Sequence, residues 1–467
     1  MTKAGCSSVL KDGTVYSKRK NLCPFSTPPL DDYVPILGEE RIERLQKVAQ
    51  RVKGLKILTL NATAQGGGVA EMLYSAIPFL NMLGIESEWK IIRGPKEYFE
   101  CTKELHNLLQ GKIGSFSPAC QQHYFNTLEE CANQNLIDYE PDVIDVQDPQ
   151  PLGLGHYCRK PGATWLWRCH IDMDRETIEG KPDLWDFLTD WAEHYDAVIF
   201  SAAQYILPWW QLPKFIIPPF IDPLSEKNRE LSHGEIDKVL TKYRIDPKVP
   251  IIAQISRFDP WKGMDRTIAA FRRVRKERKC QLVLAGGQAT DDPEGERILA
   301  RVYEDTKDDE DIHVLNLSLD DRLENHREVN ALQRAARVIM QPSTREGFGL
   351  VITEALWKGK PVIGANVGAI PMQIRDGDTG YFYHTSRQTA KKLMYLLEKP
   401  KAAQAMGKRG REYVGQRFLL PDRIADYLMA VDMVVSGALK KEANADIIIS
   451  FSPWFNLSKR KRVRFPY

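Results

Sequence analysis

Two carboxylates, Glu346 and Glu354, frame a glycine-opened stretch, Arg345-Glu346-Gly347-Phe348-Gly349-Leu350-Val351-Ile352-Thr353-Glu354. An apolar run, Val338-Ile339-Met340, leads into it and ends at Pro342. This order reads as strand, loop and then a helix from Leu350 to Trp357. The free N–H groups at such a helix start form a site for an anion or a hydroxyl. Glu354 lies about two turns beyond Glu346, which points both carboxylates to nearly the same side. N–H groups for phosphate or sugar oxygens, with carboxylates for hydroxyls, suit a polyhydroxyl ligand that carries phosphates. Glutamates also favour helix starts because they complement the dipole, so this stretch alone leaves both readings open.

Three other places carry chemistry. Arg257 and Lys262 flank a turn, Ser256-Arg257-Phe258-Asp259-Pro260-Trp261-Lys262-Gly263, beyond the apolar run Ile251 to Ile255. A diphosphate could sit there, with Arg making forked contacts and Lys acting as a point charge. In the first half, Gln147-Asp148-Pro149-Gln150-Pro151 and Arg168-Cys169-His170-Ile171-Asp172 each follow an apolar run. A His and two Asp at strand ends on a ligand-binding edge form a catalytic constellation: His170 could hydrogen-bond a sugar hydroxyl and Asp148 orient an incoming one. Finally, Gln65-Gly66-Gly67-Gly68 follows the run Lys56 to Leu60. Consecutive glycines let backbone approach a ligand closely, although the loop is neither Gly-x-Gly-x-x-Gly nor a P-loop.

These residues need elements to hold them. Strands are expected at Lys56 to Leu60, Trp89 to Ile92, Val143 to Val146, Thr164 to Trp167, Ala197 to Phe200 and Phe215 to Ile217. After a proline-bounded hinge, 218–250, the pattern restarts at Ile251 to Ile255, Gln281 to Ala285, Ile312 to Leu315, Val338 to Met340 and Pro361 to Ile363. Strands alternating with helices give an α/β fold of two Rossmann-like lobes, each with a doubly wound parallel sheet, and a cleft between them. The domains expected are an arm and short helix over 1–50, a first lobe over 51–221, a second over 222–420, a helix over 421–437 and a tail over 438–467. Residues 1–40, rich in Ser, Pro and charge, read as a loosely ordered arm.

Composition excludes several classes. In 467 residues, 65 Lys and Arg nearly balance 62 Asp and Glu, for a net charge of +3, which gives no case for nucleic-acid binding by the whole protein. The eight cysteines form no Cys-x-x-Cys pair and sit with no histidines at metal-ligand spacing. No disulfide framework is expected, and reduced thiols in a cytoplasmic protein are the better reading. The N-terminus has no apolar core for a signal peptide, and no run is long enough to span a membrane. No metal is demanded, and Asp291-Asp292 reads as a surface turn. Residues 438–467, with five cations in Lys459-Arg460-Lys461-Arg462-Val463-Arg464, read as a disordered tail whose removal leaves activity unchanged.

The Glu346 to Glu354 stretch resembles the Glu-x7-Glu motif of the retaining nucleotide-sugar glycosyltransferases with the GT-B fold. Further segments look like a narrower group, the trehalose-forming glycosyltransferring synthases. They are Gly66-Gly67-Gly68-Val69-Ala70-Glu71, Trp165-Leu166-Trp167-Arg168-Cys169-His170-Ile171-Asp172, Ile221-Asp222-Pro223-Leu224-Ser225-Glu226-Lys227-Asn228, Ser256 to Gly263 and Asp291-Asp292-Pro293-Glu294-Gly295. The similarity runs from about residue 38 to 435.

The resemblance implies a transferase that joins glucose from a nucleotide-diphosphate donor to free glucose in an α,α-1,1 linkage. It implies that Arg257 and Lys262 neutralise the diphosphate, and that Glu346 with the N–H groups of Gly347, Phe348, Gly349 and Leu350 holds the donor glucose. Glu354 would hold the ribose, Val314 and Leu315 would lie by the base, and Gly286 would lie by the phosphates. His170 would meet the donor sugar from the first lobe, and the loop with Gly67 and Gly68 would close over the reaction centre. Asp148, Asp172 and Gln65 fall to the acceptor. A C-terminal helix would cross back to the first lobe. Partners are then small sugars and a nucleotide sugar, with no nucleic acid and a homodimer as an admissible state. No cofactor is obligatory; Mg²⁺ would stimulate through the diphosphate. One departure stands out: His-Asp is expected before Pro149, and Gln147-Asp148 is present. A phosphorylase of the same fold, a transferase with another acceptor and a nucleotide-sugar sensor remain as rivals.

Overall fold

The computed structural model describes residues 9–159, 161–173, 182–207, 210–287, 293–439 and 447–451. The chain divides into two compact units, one of Ser7–Ala64, Val69–Pro219 and the segment from Leu420 on, the other of Phe220–Leu419 with the short stretch Gln65–Gly68.

The first unit carries β1 (Thr14–Tyr16), β2 (Lys56–Asn61), β3 (Glu86–Ile91), β4 (Val143–Gln147), β5 (Thr164–Cys169), β6 (Ala197–Phe200) and β7 (Lys214–Ile216). Their order is β1-β3-β2-β4-β5-β6-β7. All pairs are parallel except β1 with β3. The second unit carries β8 (Ile251–Ile255), β9 (Gln281–Gly286), β10 (Ile312–Asn316), β11 (Val338–Gln341), β12 (Val362–Ala365) and β13 (Gly380–Tyr383). Its order, β10-β9-β8-β11-β12-β13, is parallel throughout. The last strand, β14 (Ile448–Ser450), lies parallel beside β7 in the first sheet.

Continuous apolar runs such as Ile251–Ile255 and Val338–Gln341 are buried along their whole length. That is the signature of central parallel strands covered by helices on both faces. The helix Leu420–Val435 belongs to the first unit and packs on the helix Glu39–Arg51. Arg44 reaches Asp426 at 3.3 Å, and Arg41 pairs with Asp422.

Several expectations need correction. Residues 9–37 are not a loose arm. β1 adds antiparallel to β3, and Phe25 packs 5.1 Å from Tyr16 and 4.8 Å from Tyr74, ring centre to ring centre. Arg19 donates to Glu88 at 3.0 Å. Lys20 and the fully buried Lys90 share Asp138 at 2.6 and 2.8 Å. A composition that reads as disorder folds because its few aromatics and charges meet matching groups on the sheet edge. The tail is likewise not wholly disordered: β14 completes the sheet edge, and Phe451 stacks on Phe215 at 6.1 Å. The basic run 459–464 and Asp291-Asp292 lie outside the described residues. β13 was not foreseen, because Gly-Tyr-Phe-Tyr is short and half-exposed.

Nor are all the thiols reduced. Cys101 and Cys120 form a disulfide between the helices Lys96–Leu109 and Pro118–Asn133, with Cα atoms 5.1 Å apart. Packing of the two helices creates that proximity, which spacing in sequence does not reveal. Among the described residues, no helix is long and apolar enough to cross a membrane.

Candidate functional site

In the second unit, β8 and β11 are sheet neighbours from which the chain winds in opposite directions. Ligands of doubly wound sheets bind beyond the carboxyl ends of strands at such a switch point. The two loops that leave it are Ser256 to Gly263 and Pro342 to Gly349. They are tied together by backbone: Thr344 N donates to Trp261 O at 2.7 Å. Gly263 adopts φ +64°, and a Cβ there would lie 2.4 Å from Pro342 O, so glycine is needed for both conformation and space. From inside β8, Gln254 donates to Lys262 O at 2.8 Å and accepts from Thr267 at 2.6 Å.

These bonds aim Lys262. Its Nζ lies 2.9 and 2.8 Å from the two carboxylate oxygens of Glu346. Glu346 is only 8% exposed and also accepts from Ser343 Oγ at 3.1 Å and Gln341 Nε2 at 3.2 Å. The helix Leu350–Trp357 starts at Gly349, at φ +85°, with no side chain capping it. Glu346 therefore precedes the helix, and the expectation of two carboxylates stacked by helical spacing does not apply. Each instead has a lysine of its own.

Glu354 is the one on the helix. It is 2% exposed, accepts from Gln333 Nε2 at 2.9 Å and pairs with Lys227 at 3.1 Å. One turn on, Lys358 is also buried and donates to Asn228 Oδ1 at 2.9 Å. Burial lowers the Lys358 ammonium to about 7, although the nearby Glu354 opposes that shift. Gln333, Gln341, Ser343 and Lys358 were not singled out from sequence. Only Lys358, at the i+4 position from Glu354, left a signal there.

Arg257 is more exposed, its guanidinium 3.6 Å from Asp259. Gly286, at the end of β9, holds its turn close: a Cβ on Gly286 would lie 1.9 Å from Ser256 O. Val314 and Leu315 lie side by side in β10, Leu315 packed down to 9% exposure.

The first unit has its own switch point, between β2 and β4. Beyond β2 lies the loop with Gln65 and Gly67 exposed and Gly66 at φ +80°, followed by the helix Gly68–Met82. Beyond β4, Asp148 adopts φ +63°, a left-handed conformation that Asp tolerates better than most residues. Its carboxylate accepts from His170 N at 2.7 Å. His170 Nε2 lies 2.9 Å from Gln147 Oε1, and Nδ1 lies 3.3 Å from Ser201 Oγ. Gln147, the departure noted above, thus orients the histidine ring. Asp172 is buried just past His170.

Burial dominates the charges here. It pushes the Asp148 carboxyl up to about 7, against a hydrogen bond from His170 N and the Arg168 charge. It drives His170 well below its ordinary value, and Arg168 adds to that shift. Asp145, buried in β4, is pushed up to about 6. Arg168 is itself buried, and its Nε and Nη2 find no partner among the described residues. The arrangement suits recognition of uncharged hydroxyls by largely neutral groups.

Comparison with known proteins fits this layout. The family description "Trehalose synthase, N-terminal domain" matches residues 59–207, and "Glycosyl transferases group 1" matches residues 235–413. The chain is 42% identical over 403 residues to the trehalose synthase of Pyrococcus horikoshii, covering 85% of this chain and 95% of that protein. It is 26% identical to the trehalose phosphorylase of Grifola frondosa, covering 94% of this chain and 64% of that one. The solved α,α-trehalose 6-phosphate synthase of Burkholderia multivorans superposes with a TM-score of 0.64 at 16% identity, covering 82% of this chain and 99% of that one. At that identity the likeness speaks for the fold, the two-lobed GT-B architecture. The chain therefore belongs to the trehalose synthase family, as a GT-B glycosyltransferase of trehalose-related glycosyl transfer.

Proposed function

We propose that the protein transfers glucose from a nucleotide-diphosphate glucose to free glucose, with retention, to give trehalose. The observation that carries this reading is the Lys262–Glu346 pair at the switch point of the second unit, on two loops joined by a backbone hydrogen bond. A diphosphate entering beside Arg257 takes Lys262 as its counter-ion. Glu346 is then released to accept hydrogen bonds from the donor sugar. Glu354, already presented by Gln333 and Lys227, accepts from the ribose hydroxyls. Mg²⁺, where it helps, rides on the diphosphate.

The chemical cost lies in the charge that develops on the leaving phosphate. A preorganised donor aimed at such charge is worth ~2.7–4 kcal/mol, and Arg257 and Lys262 take that role in this reading. The acceptor hydroxyl attacks from the side that the diphosphate leaves, and the departing phosphate oxygen takes its proton. Asp148 orients that hydroxyl. His170 meets the donor sugar by exchanging Ser201, the longer of its two ring hydrogen bonds.

The test is to incubate the protein with free glucose and, separately, UDP-, ADP- and GDP-glucose, and to assay non-reducing disaccharide and released nucleotide. Trehalose from one donor supports the reading and identifies the base. Nucleotide release without trehalose discards glucose as acceptor. A second reading, phosphorolysis of trehalose, is favoured by the fungal phosphorylase likeness over most of this chain. It gains ground if no donor turns over and trehalose with phosphate yields a glucose phosphate.

A further inference from the structure

The five residues after β4, from Asp148 to Leu152, form no regular element, yet four of their carbonyls are held by buried aromatic side chains. Trp167 Nε1 donates to Asp148 O at 2.9 Å. Tyr124 donates to Pro149 O at 2.9 Å and also accepts from Gly153 N at 3.0 Å. Tyr98 donates to Gln150 O at 2.6 Å, and Tyr195 to Leu152 O at 2.6 Å. All three tyrosines are 0% exposed. A buried tyrosine hydroxyl generally finds a partner somewhere, but three that converge on one short loop, two from separate helices and one from the connection that precedes β6, is a built arrangement. Two glycines permit the close approach: a Cβ on Gly155 would lie 2.7 Å from Tyr195 Cε2, and one on Gly153 would lie 3.2 Å from Tyr124 Cε1. Burial raises all three phenols above their ordinary value, so each stays a proton donor across the working pH range. Tyr98 and Tyr124 stack at 6.0 Å, and the disulfide joins their helices within about one turn of each.

We propose that Tyr98, Tyr124 and Tyr195 are positioning residues for the acceptor sugar, acting through the backbone of Asp148–Leu152 to hold Asp148 in its left-handed backbone conformation and so aim its carboxylate. This inference rests on the assignment of Asp148 to the acceptor. Each hydroxyl is engaged by a loop carbonyl and acts on the acceptor only through that loop. Each removes a way for the loop to relax, and so reduces the ordering that acceptor binding must supply.

The experiment uses the full chain with Tyr98→Phe, Tyr124→Phe, Tyr195→Phe and the Tyr98→Phe/Tyr124→Phe double variant. Tyr33→Phe, a buried tyrosine remote from this loop in sequence, is the control. Each loss is expected to raise the acceptor KM roughly three- to tenfold, the size of one net hydrogen bond. The donor KM and kcat should stay within about twofold of wild type, a difference well under one hydrogen bond. Tyr33→Phe should leave the acceptor KM in place even where it lowers Tm. An unchanged acceptor KM in the double variant overturns the inference, as does an equal rise in donor KM, which would mark general softening. Amide hydrogen exchange at Leu152, Gly153 and Leu154 separates this from failure of the functional reading. If the wild type makes no disaccharide from any donor, the function falls but exchange still decides: faster exchange in the double variant supports the cradle, and unchanged exchange removes it.

Discussion

The second unit meets its switch point with ion pairs, Lys262 with Glu346 and Lys227 with Glu354, and burial lowers the neighbouring Lys358 to about 7. The first unit meets its own with groups that burial drives toward neutrality: Asp148 pushed up to about 7, and His170 well below its usual value. Both use the same topological position, and they differ in what desolvation has been allowed to do. A buried charge whose partner is already in place can exchange that partner for a ligand charge without paying the desolvation cost again. A neutral donor–acceptor set recognises hydroxyls without asking for a charge in return. The difference fits a donor that brings a diphosphate and an acceptor that brings none.

The largest effects should come from breaking the charged side. Arg257→Ala is expected to lower kcat by roughly 10²–10³, the usual loss for one transition-state charge stabiliser. Lys262→Ala should do the same and also lower Tm, since it leaves Glu346 buried without its lysine. An unchanged kcat at saturating donor in both variants would break the comparison on its charged side. Next, Glu354→Ala should raise the nucleotide-sugar KM roughly ten- to hundredfold, as expected for a charged hydrogen bond. A phosphorylase, with no ribose to hold, would be spared.

The neutral side predicts a pH signature. With Asp148 pushed up to about 7, its free carboxylate appears as pH rises through that value. The ionised form is the stronger acceptor for the incoming hydroxyl, so acceptor kcat/KM should rise above the level that the neutral set supports, and Asp148→Asn should flatten the profile. Stability runs the other way. The folded state holds a proton that the unfolded chain releases near the ordinary carboxylate value. Asp148 therefore favours folding at low pH, and that contribution is lost as pH climbs from about 4 to about 7. Asp145, pushed up to about 6, acts in the same sense. Tm should thus fall less steeply with pH in Asp148→Asn than in the wild type. An identical slope in both proteins would show that Asp148 titrates normally and would erase the contrast.

The smallest effects compare the glycines. Gly286→Ala forces a Cβ to within 1.9 Å of Ser256 O, an overlap that costs ~1–3 kcal/mol and displaces the turn that carries Arg257. Gly67 has open space around it and no left-handed φ, so Gly67→Ala should leave Tm unchanged. Equal melting curves for the two variants would show that β9 is not what fixes the Arg257 turn.

The long central strands were legible because each is a run of apolar residues, and parallel strands buried on both faces have no other pattern. β8 and the helix Leu350–Trp357 fall where the sequence predicts them. β1, β13 and β14 were not legible. Each is an edge strand of three or four residues, too short for periodicity, and β1 and β14 are stabilised by neighbours far along the chain. Arg257, Lys262 and Glu346 stood out because each lies just past a strand, where doubly wound sheets open to ligands.

What the sequence by itself determined is therefore the alternation of strands and helices, the positions of the loops that carry charge, and membership of a family through segments strung along most of the chain. These are local properties, written in residue types and short spacings. Tertiary structure alone decided which charges pair and which go neutral. Lys227 meets Glu354, Cys101 meets Cys120, and three tyrosines far apart in sequence close on one loop. The physical reason is that pairing and desolvation depend on distance in space, and neither is set until the two sheets have folded and their helices have covered them.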